Sequence, residues 1–419
     1  MHRWISNVAA GSATSMTAAR ATERRYDVAR EDELEFTSAE YVDLYHRSRA
    51  TMFQHPLWLH EVYRTLAPRV HAEPIVVTVR SSEDRRLLLV LPLVRRRHWG
   101  VRHVEFADLG VCDYAAPVLD EQAASALLAD PDVMSDIRLA VGPVDLLRVD
   151  KLPGSPTQMA TLLGTPSVRR LPYSTHRIGI EGDYSPWQQR MLDPSFLRHL
   201  ARKRKRLRPK GELVLRTVHE HDEVDPVLER IQAFRRDRFE GRRAIDLAQD
   251  PDRFAFYGQV AHEGIDQGGP ARLVVLTLGG EVVAATLDLV DEKRHLFLLV
   301  GYDFGRLRNY SLGLLIVDLL LAAAFSEGTQ EFDLTIGDEG YKADFGARPT
   351  TMFTVRCAAS PRGRLAAGGI DAEAWARRSA KRMIAARERM ASRWSESRER
   401  RVGSAPPVDP AGRRSKIDK

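Results

Sequence analysis

The strongest constraint on the fold is the succession of apolar segments and turns between residues 272 and 335. Segments 272–278 and 281–289 are two β-rich runs joined by Gly279-Gly280. A Gly-Gly pair can hold both turn positions at positive φ, so the two runs are expected to form a hairpin. Residues 291–293 turn the chain again, and 295–301 supply a third strand. A loop over 302–310 leads into an apolar helix, 312–326, which Gly328 stops. Residues 331–335 form the next strand and 352–357 the last. The helix falls short of the roughly 20 apolar residues of a membrane span, and Asp318 interrupts it. It is expected to lie buried beside a sheet.

The chain has 419 residues, 43% of them hydrophobic and 29% charged, enough apolar material for more than one core. Residues 1–35, rich in Ala, Ser, Thr and Arg at their start, are expected to be a disordered tail. A first α/β unit is expected over 36–185. It has helices at 36–50 and 56–66, the second carrying Trp58, Val62 and Leu66 on one face. A hairpin of 73–80 with 87–94 follows, then strands at 101–106, 144–149 and 175–180 and helices at 121–129 and 156–163. The second unit, 186–360, opens with helix 186–208, a strand at 212–218, and helices at 225–239 and 252–265. Beyond it, 361–419 reads as a basic helix over 368–401, with Trp375, Met383, Met390 and Trp394, and a Pro-rich tail.

Several function classes are excluded at this stage. Cys112 and Cys357 are the only cysteines and no CxxC exists, so a zinc ribbon, a redox dithiol and a disulfide framework are all set aside. Residues 1–27 lack the apolar core of a signal peptide, and a cytoplasmic protein is expected. There is no HExxH or comparable metal spacing and no GxxxxGK[ST] loop. The 13 histidines are scattered and make no Ser-His-Asp set.

Two segments carry candidate chemistry. Arg308-Asn309-Tyr310-Ser311-Leu312-Gly313 sits where a strand gives way to a helix. A helix N-terminus presents unpaired N–H groups and the positive end of the macrodipole. Small residues there admit a pyrophosphate, and Arg306 and Arg308 can contact phosphate. The plain alternative is an N-cap by Ser311 with Gly313 easing packing. The second segment runs from Phe332 through Asp333, Gly337, Asp338, Glu339, Gly340, Tyr341 and Lys342 to Gly346. Its polar groups follow the C-terminal end of a strand, where open α/β sheets bind ligands.

The first segment resembles the acyl-CoA signature of the GNAT acyltransferases, Gln/Arg-x-x-Gly-x-Gly/Ala. Arg308 matches its first position and Gly313 its last, while Ser311 stands where the first Gly is usual. The second segment resembles the C-terminal part of the FemAB and CelD-like branch, through Asp333, Gly337, Tyr341 and Lys342. That resemblance covers roughly 50–358 and is best over 273–345. It implies a GNAT-like α/β fold with a mixed sheet, in two tandem GNAT-like domains. It also implies acyl transfer from acetyl-CoA or another acyl-CoA, without a metal, to an amine or hydroxyl acceptor in polysaccharide or cell-envelope synthesis. The chemistry needs a proton acceptor and a stabiliser of developing charge. Asp338 or Glu339 is the candidate base. Lys342 is the candidate for stabilising charge, and Tyr341 for donating to the leaving thiolate. Arg306, Arg308, Ser311 and Gly313 are the candidate donor-binding residues. Asp333 is expected to hydrogen-bond structurally at the strand end.

The basic run 198–208 admits three readings: a solvated helix face, a contact with an anionic acceptor or donor such as a lipid-linked or saccharide precursor or tRNA, or general nucleic-acid binding. No aromatic residue interleaves it. An aminoacyl-tRNA-dependent transferase, whose larger donor would use this basic helix, therefore remains an alternative, and Ser311 in place of the signature Gly keeps a non-catalytic scaffold as another. The basic C-terminal helix adds the possibility of peripheral contact at the inner membrane face.

Overall fold

The structure, a computed structural model, describes residues 24–98, 100–165, 167–240 and 246–372. Those up to Gly363 form one compact unit. A second begins at Arg364, of which residues 364–372 are described and helical. Apart from its start, the basic helix expected over 368–401 lies outside the described residues, as does the tail after it.

A single mixed sheet runs through the first unit. Its strands are β1 (Tyr26–Arg30), β2 (Glu73–Ser81), β3 (Leu87–His98), β4 (Val101–Phe106), the two-residue β5 (Val118–Leu119), β6 (Leu146–Pro153), β7 (Ser167–Gly179), β8 (Leu213–Thr217), β9 (Ala271–Leu278), β10 (Glu281–Val290), β11 (Arg294–Tyr302), β12 (Glu331–Ile336) and β13 (Arg348–Ala358). The order across the sheet is β1-β2-β3-β4-β6-β13-β7-β12-β11-β10-β9-β8, with β5 paired to β3.

Reflected about the β13/β7 boundary, the two sides match. The β2/β3 and β9/β10 hairpins are antiparallel, as are β3/β4 and β10/β11. The pairs β4/β6 and β11/β12 are both parallel. The pairs β6/β13 and β12/β7 are both antiparallel. Each half is the same arrangement, and each has passed its last strand to the other. The duplication expected from architecture is present in the topology, with an exchange of strands that the sequence did not announce.

Helices cover both faces: α1 (Ala39–His46), α2 (Pro56–Glu61) and α3 (Ala67–Arg69), the last two joined by a π turn at Val62–Leu66; then α4 (Ala124–Ala129), α5 (Pro131–Val141), α6 (Thr157–Leu162), α7 (Tyr184–Met191), α8 (Pro194–Leu207), α9 (His221–Phe239), α10 (Pro251–Gln267), α11 (Leu312–Ser326) and α12 (Gly340–Asp344). In the second half, Ile231, Phe256 and Val260 of α9 and α10 pack on Val275, Ala285 and Leu287. On the opposite face, Trp187, Leu200, Leu315 and Ile316 of α7, α8 and α11 pack on Leu276, Phe297 and Leu334. Strands covered on both faces are apolar without alternation, which accounts for the unbroken runs in β3 and β9. Asp318, buried in α11, is compensated by Arg204, Gln188 and Tyr184, as a buried charge requires. Among the described residues no helix is long and apolar enough to cross a membrane.

Three expectations need correction. The tail of 1–35 is not disordered throughout: Tyr26–Arg30 pairs with β2, and Tyr26 and Val28 pack on the first-half core. The stretch 186–208 is two helices, because Asp193 caps the Ser195 amide and Pro194 starts α8 afresh. Helix α5 was not foreseen, although Asp130 at its N-cap and Pro131 at N1 are a start signal.

Candidate active site

Strands β11 and β12 pair only where Arg294, His295 and Leu296 meet Glu331, Phe332 and Asp333. Beyond that point they part. Strand β12 loses register against β7 between Asp333 and Ile336, and Thr335 in this break has a φ of 58°. A β-branched residue in that region stores about 1–3 kcal/mol of strain. The Thr335 amide donates to Asp333 Oδ1 at 2.7 Å, and its hydroxyl reaches across to the Phe297 carbonyl at 3.4 Å. The gap opens at the C-terminal ends of two parallel strands and is followed by the N-terminus of α11, a place suited to an anionic ligand.

At its mouth the structure gathers part of the expected donor set. Ser311 has φ 56° and ψ 44° and does not cap α11 with its hydroxyl. A Cβ on Gly313 would come within 2.9 Å of the Tyr302 ring, so only glycine permits this approach. The Arg238 guanidinium lies 5.1 Å above the same ring. Tyr341 shares these neighbours: burial and then the Glu339 carboxylate raise its hydroxyl pKa, against the charge of Arg238. Arg306 is committed to Asp303 at 2.6 Å and Glu281 at 2.7 Å. Arg308 stacks over Phe304 at 5.2 Å. The basic run of α8 reaches the same loop instead. Lys203 Nζ donates to the Asn309 carbonyl at 2.6 Å, and Arg206 and Lys210 sit over the Tyr310 ring.

The expected acid–base residues hold the end of β12. Lys342 is only 2% exposed. Its Nζ donates to the Ile336 and Thr335 carbonyls at 2.9 and 3.2 Å and pairs with Glu339 at 3.1 Å. Asp338 accepts from His176 Nε2 at 3.0 Å and the Ser174 amide at 3.2 Å. Burial would raise its pKa, but these hydrogen bonds prevail and lower it.

Sequence reasoning missed the residues that reach this gap from the other half. Asp333, 1% exposed, accepts from the Tyr114 hydroxyl at 2.7 Å, and Arg177 Nε lies 3.0 Å from its Oδ2. Arg177 also stacks over Tyr114 at 5.3 Å. Burial pushes the Asp333 carboxyl upward, against Arg177 and Tyr114. Beside it lies a cavity of about 320 Å³ lined by Arg49, Tyr114, Gln158, Arg177, Arg294 and Asp333, among others. No local signal marks Tyr114 or Arg177; they meet Asp333 only through the exchange of β7. Among the described residues no cluster of three or more His, Cys, Asp or Glu could hold a metal.

Residues 194–343 match the family model described as acetyltransferase (GNAT) domain. A search of the curated proteins gave no match. Among solved structures, FemX aligns with a TM-score of 0.51 at 10% identity, over 75% of this chain and 94% of its own. L-PGS from Bacillus licheniformis aligns at 0.47 and 10%, over 78% and 93%. A tandem GNAT protein from the clavulanic acid biosynthesis pathway aligns at 0.44 and 11%, over 80% and 99%. At such identity the FemX likeness speaks to the fold alone. The mixed sheet is GNAT-like, and the span that holds the β11/β12 gap, residues 194–343, is similar to the acetyltransferase (GNAT) domains.

Proposed function

We propose that this chain is an acyltransferase that moves an acyl group, acetyl in the simplest case, from acyl-CoA to an amine or hydroxyl. The observation that supports it is the β11/β12 gap, opening onto the start of α11 inside the span similar to GNAT domains. In this reading the backbone at residues 311–313 receives the donor's phosphates, and Arg308, Lys203, Arg206 and Lys210 supply positive charge nearby. Tyr341, kept protonated by its surroundings, donates to the departing thiolate. Lys342, paired with Glu339, and Asp338, held by His176 and the Ser174 amide, act by holding the strained end of β12. Arg306 acts by fixing the loop through Asp303. The cavity with Arg49, Arg177 and Arg294 suits an anionic acceptor. An acceptor in polysaccharide or envelope synthesis, as for CelD-like proteins, fits that charge, with a cytoplasmic location and peripheral contact at the inner membrane face.

A second reading, an aminoacyl-tRNA donor, is favoured by one observation: α8 and its following turn expose Arg198, Arg202, Lys205 and Arg208 beside the same loop. Thermal shift with acetyl-CoA, CoA and charged tRNA separates the readings. Stabilisation by acetyl-CoA supports the first and stabilisation by charged tRNA alone the second. No response to any of them leaves a scaffold.

A further inference from the structure

The cavity beside Asp333 is built by both halves. Leu296 and Asp333 line it, and they are also the last pair of the β11/β12 ladder before the strands part. Its inner end therefore abuts the gap. Arg49, Tyr114 and Gln158 line it from the first half. A smaller cavity of about 170 Å³ adjoins it, sharing Arg49, Ala116, Pro117 and Gln158 and adding Glu121. The two run together as a groove that ends on Asp333.

Charge is spread unevenly along this groove. At the inner end the carboxylates of Asp333 and Glu331 share one guanidinium, Arg177, at 3.0 and 3.6 Å. One negative charge is left over. The Arg177–Asp333 pair is also out of line for a hydrogen bond. Asp333 Oδ2 and Arg177 Nε are both buried with no hydrogen-bond partner among the described residues. Buried polar atoms call for partners, here a ligand group that both donates and accepts. A hydroxyl fills both atoms as well as an amine does. The spare negative charge decides between them, since only an amine can bind as a cation. Arg294 does not offset that charge, because Asp291 at 2.8 Å, the Ala50 carbonyl at 3.2 Å and the Tyr45 hydroxyl at 3.4 Å hold its guanidinium. At the outer end Arg49 is paired with Glu121 at 2.8 Å, with side chains 86% and 47% exposed. So open a pair contributes little, and a ligand's anion can draw Arg49 away from it.

We infer that this groove is the acceptor site, and that the acceptor carries a primary amine at one end and an anionic group at the other. The ammonium form sits against Asp333 and Glu331, with its nitrogen next to the gap, and the anion lies on Arg49. This rests on the reading that the β11/β12 gap takes the acyl donor, and it narrows the acceptor from an amine or hydroxyl to an amine. The first half then supplies the acceptor groove and the second half the donor cleft.

The test uses the full chain and saturation-transfer NMR, with ε-aminocaproate as the probe. Two analogues each lack one group: ε-hydroxycaproate keeps the anion, and hexylamine keeps the amine. Each should bind at least ~10-fold more weakly than the probe. Glu331→Gln keeps the shape and removes the spare charge. It should weaken ε-aminocaproate at least ~10-fold and leave ε-hydroxycaproate within about twofold. Gln158→Trp, at an exposed position of α6, should block all three. Both variants should bind acetyl-CoA within about twofold of the parent by calorimetry. Equal binding of the hydroxyl analogue, or no effect of Glu331→Gln, overturns the amine. Equal binding of hexylamine overturns the anion. Binding untouched by Gln158→Trp, or no binding of any of the three, overturns the groove and leaves the acyltransferase reading standing. A parent that does not bind acetyl-CoA removes that reading, while the NMR still decides whether the groove takes an amine with an anionic group.

Discussion

After β4 the chain turns back along its own sheet; after β11 it climbs into a helix. Both halves pair their parallel strands over only three residues before the strands part. In the first half the Ala115 amide donates to the Lys151 carbonyl, so the loop takes the edge of β6 that β4 leaves. In the second half the edge is met only in part, by Arg235 on the Val300 carbonyl at 3.1 Å and Thr335 on Phe297. Backbone groups at a parted edge need partners. One half finds them in its own chain and the other leaves the parted edge open. Two copies of one topology thus divide the work: the closed gap becomes the wall of the open one.

The largest effect is expected where the halves are pinned together. Asp333→Ala removes the buried carboxylate shared by the Arg177 guanidinium and the Tyr114 hydroxyl, leaving them only Glu331 and the Thr175 hydroxyl, and should cost about 3 kcal/mol in urea unfolding. Arg177→Met combined with Asp333→Leu should recover most of it. A loss below 1 kcal/mol in the single variant would mean that the halves do not depend on this junction. Next comes the asymmetry itself. Calorimetry with acetyl-CoA should give one site per chain, and Gly313→Glu should weaken it at least ~10²-fold (about 2.7 kcal/mol), with a lower melting temperature as well because its Cβ must displace the Tyr302 ring. Gln122→Glu, in the loop before α4, should change nothing. Two equivalent sites would break the comparison.

A smaller effect concerns pH. Burial holds the imidazoles of His55 and His103, both in the first half, down to about 4. The fold prefers them neutral, so their contribution is complete above about pH 6.5 and is lost as pH falls toward 4. Between pH 7 and 5 each should cost up to about 2 kcal/mol, and His103→Gln should flatten the urea-midpoint profile by its share. The smallest change is expected for Thr335→Gly. Relief of backbone strain offsets the lost side chain and the entropy of glycine, so stability should stay within about 1 kcal/mol while thiol release from acetyl-CoA falls. A stability loss beyond 2 kcal/mol would show that Thr335 serves the fold rather than the gap.

The second half was legible because its determinants are local. Gly279 and Gly280, with φ of 59° and 87°, form the expected hairpin turn, and α11 spans the apolar run as read. Ser311 and Gly313, proposed for the donor side, were singled out by their place at the start of that helix, and Tyr341 by the resemblance of its segment. What stayed hidden is nonlocal. Tyr114 lies in a loop with no motif, 219 residues from Asp333, and their meeting depends on strand exchange. Strand β7 was seen only from Thr175 onward because its first residues are polar and largely exposed. Lys342 was singled out for chemistry by its neighbours in sequence, whereas burial turns its ammonium onto backbone carbonyls.

The exchanged strands also set a timetable. Strand β6 needs β13 beside it, and β13 ends at Ala358, whereas β7, the last strand of the first half, ends at Gly179. A ribosome adds roughly 5–20 residues per second. The first half therefore waits on the order of ten to thirty-five seconds after its own residues are made before its missing strand exists. During that interval the apolar edge of β6 stands open beside a growing chain, a window in which a chaperone or a neighbouring nascent chain competes for the same hydrogen bonds.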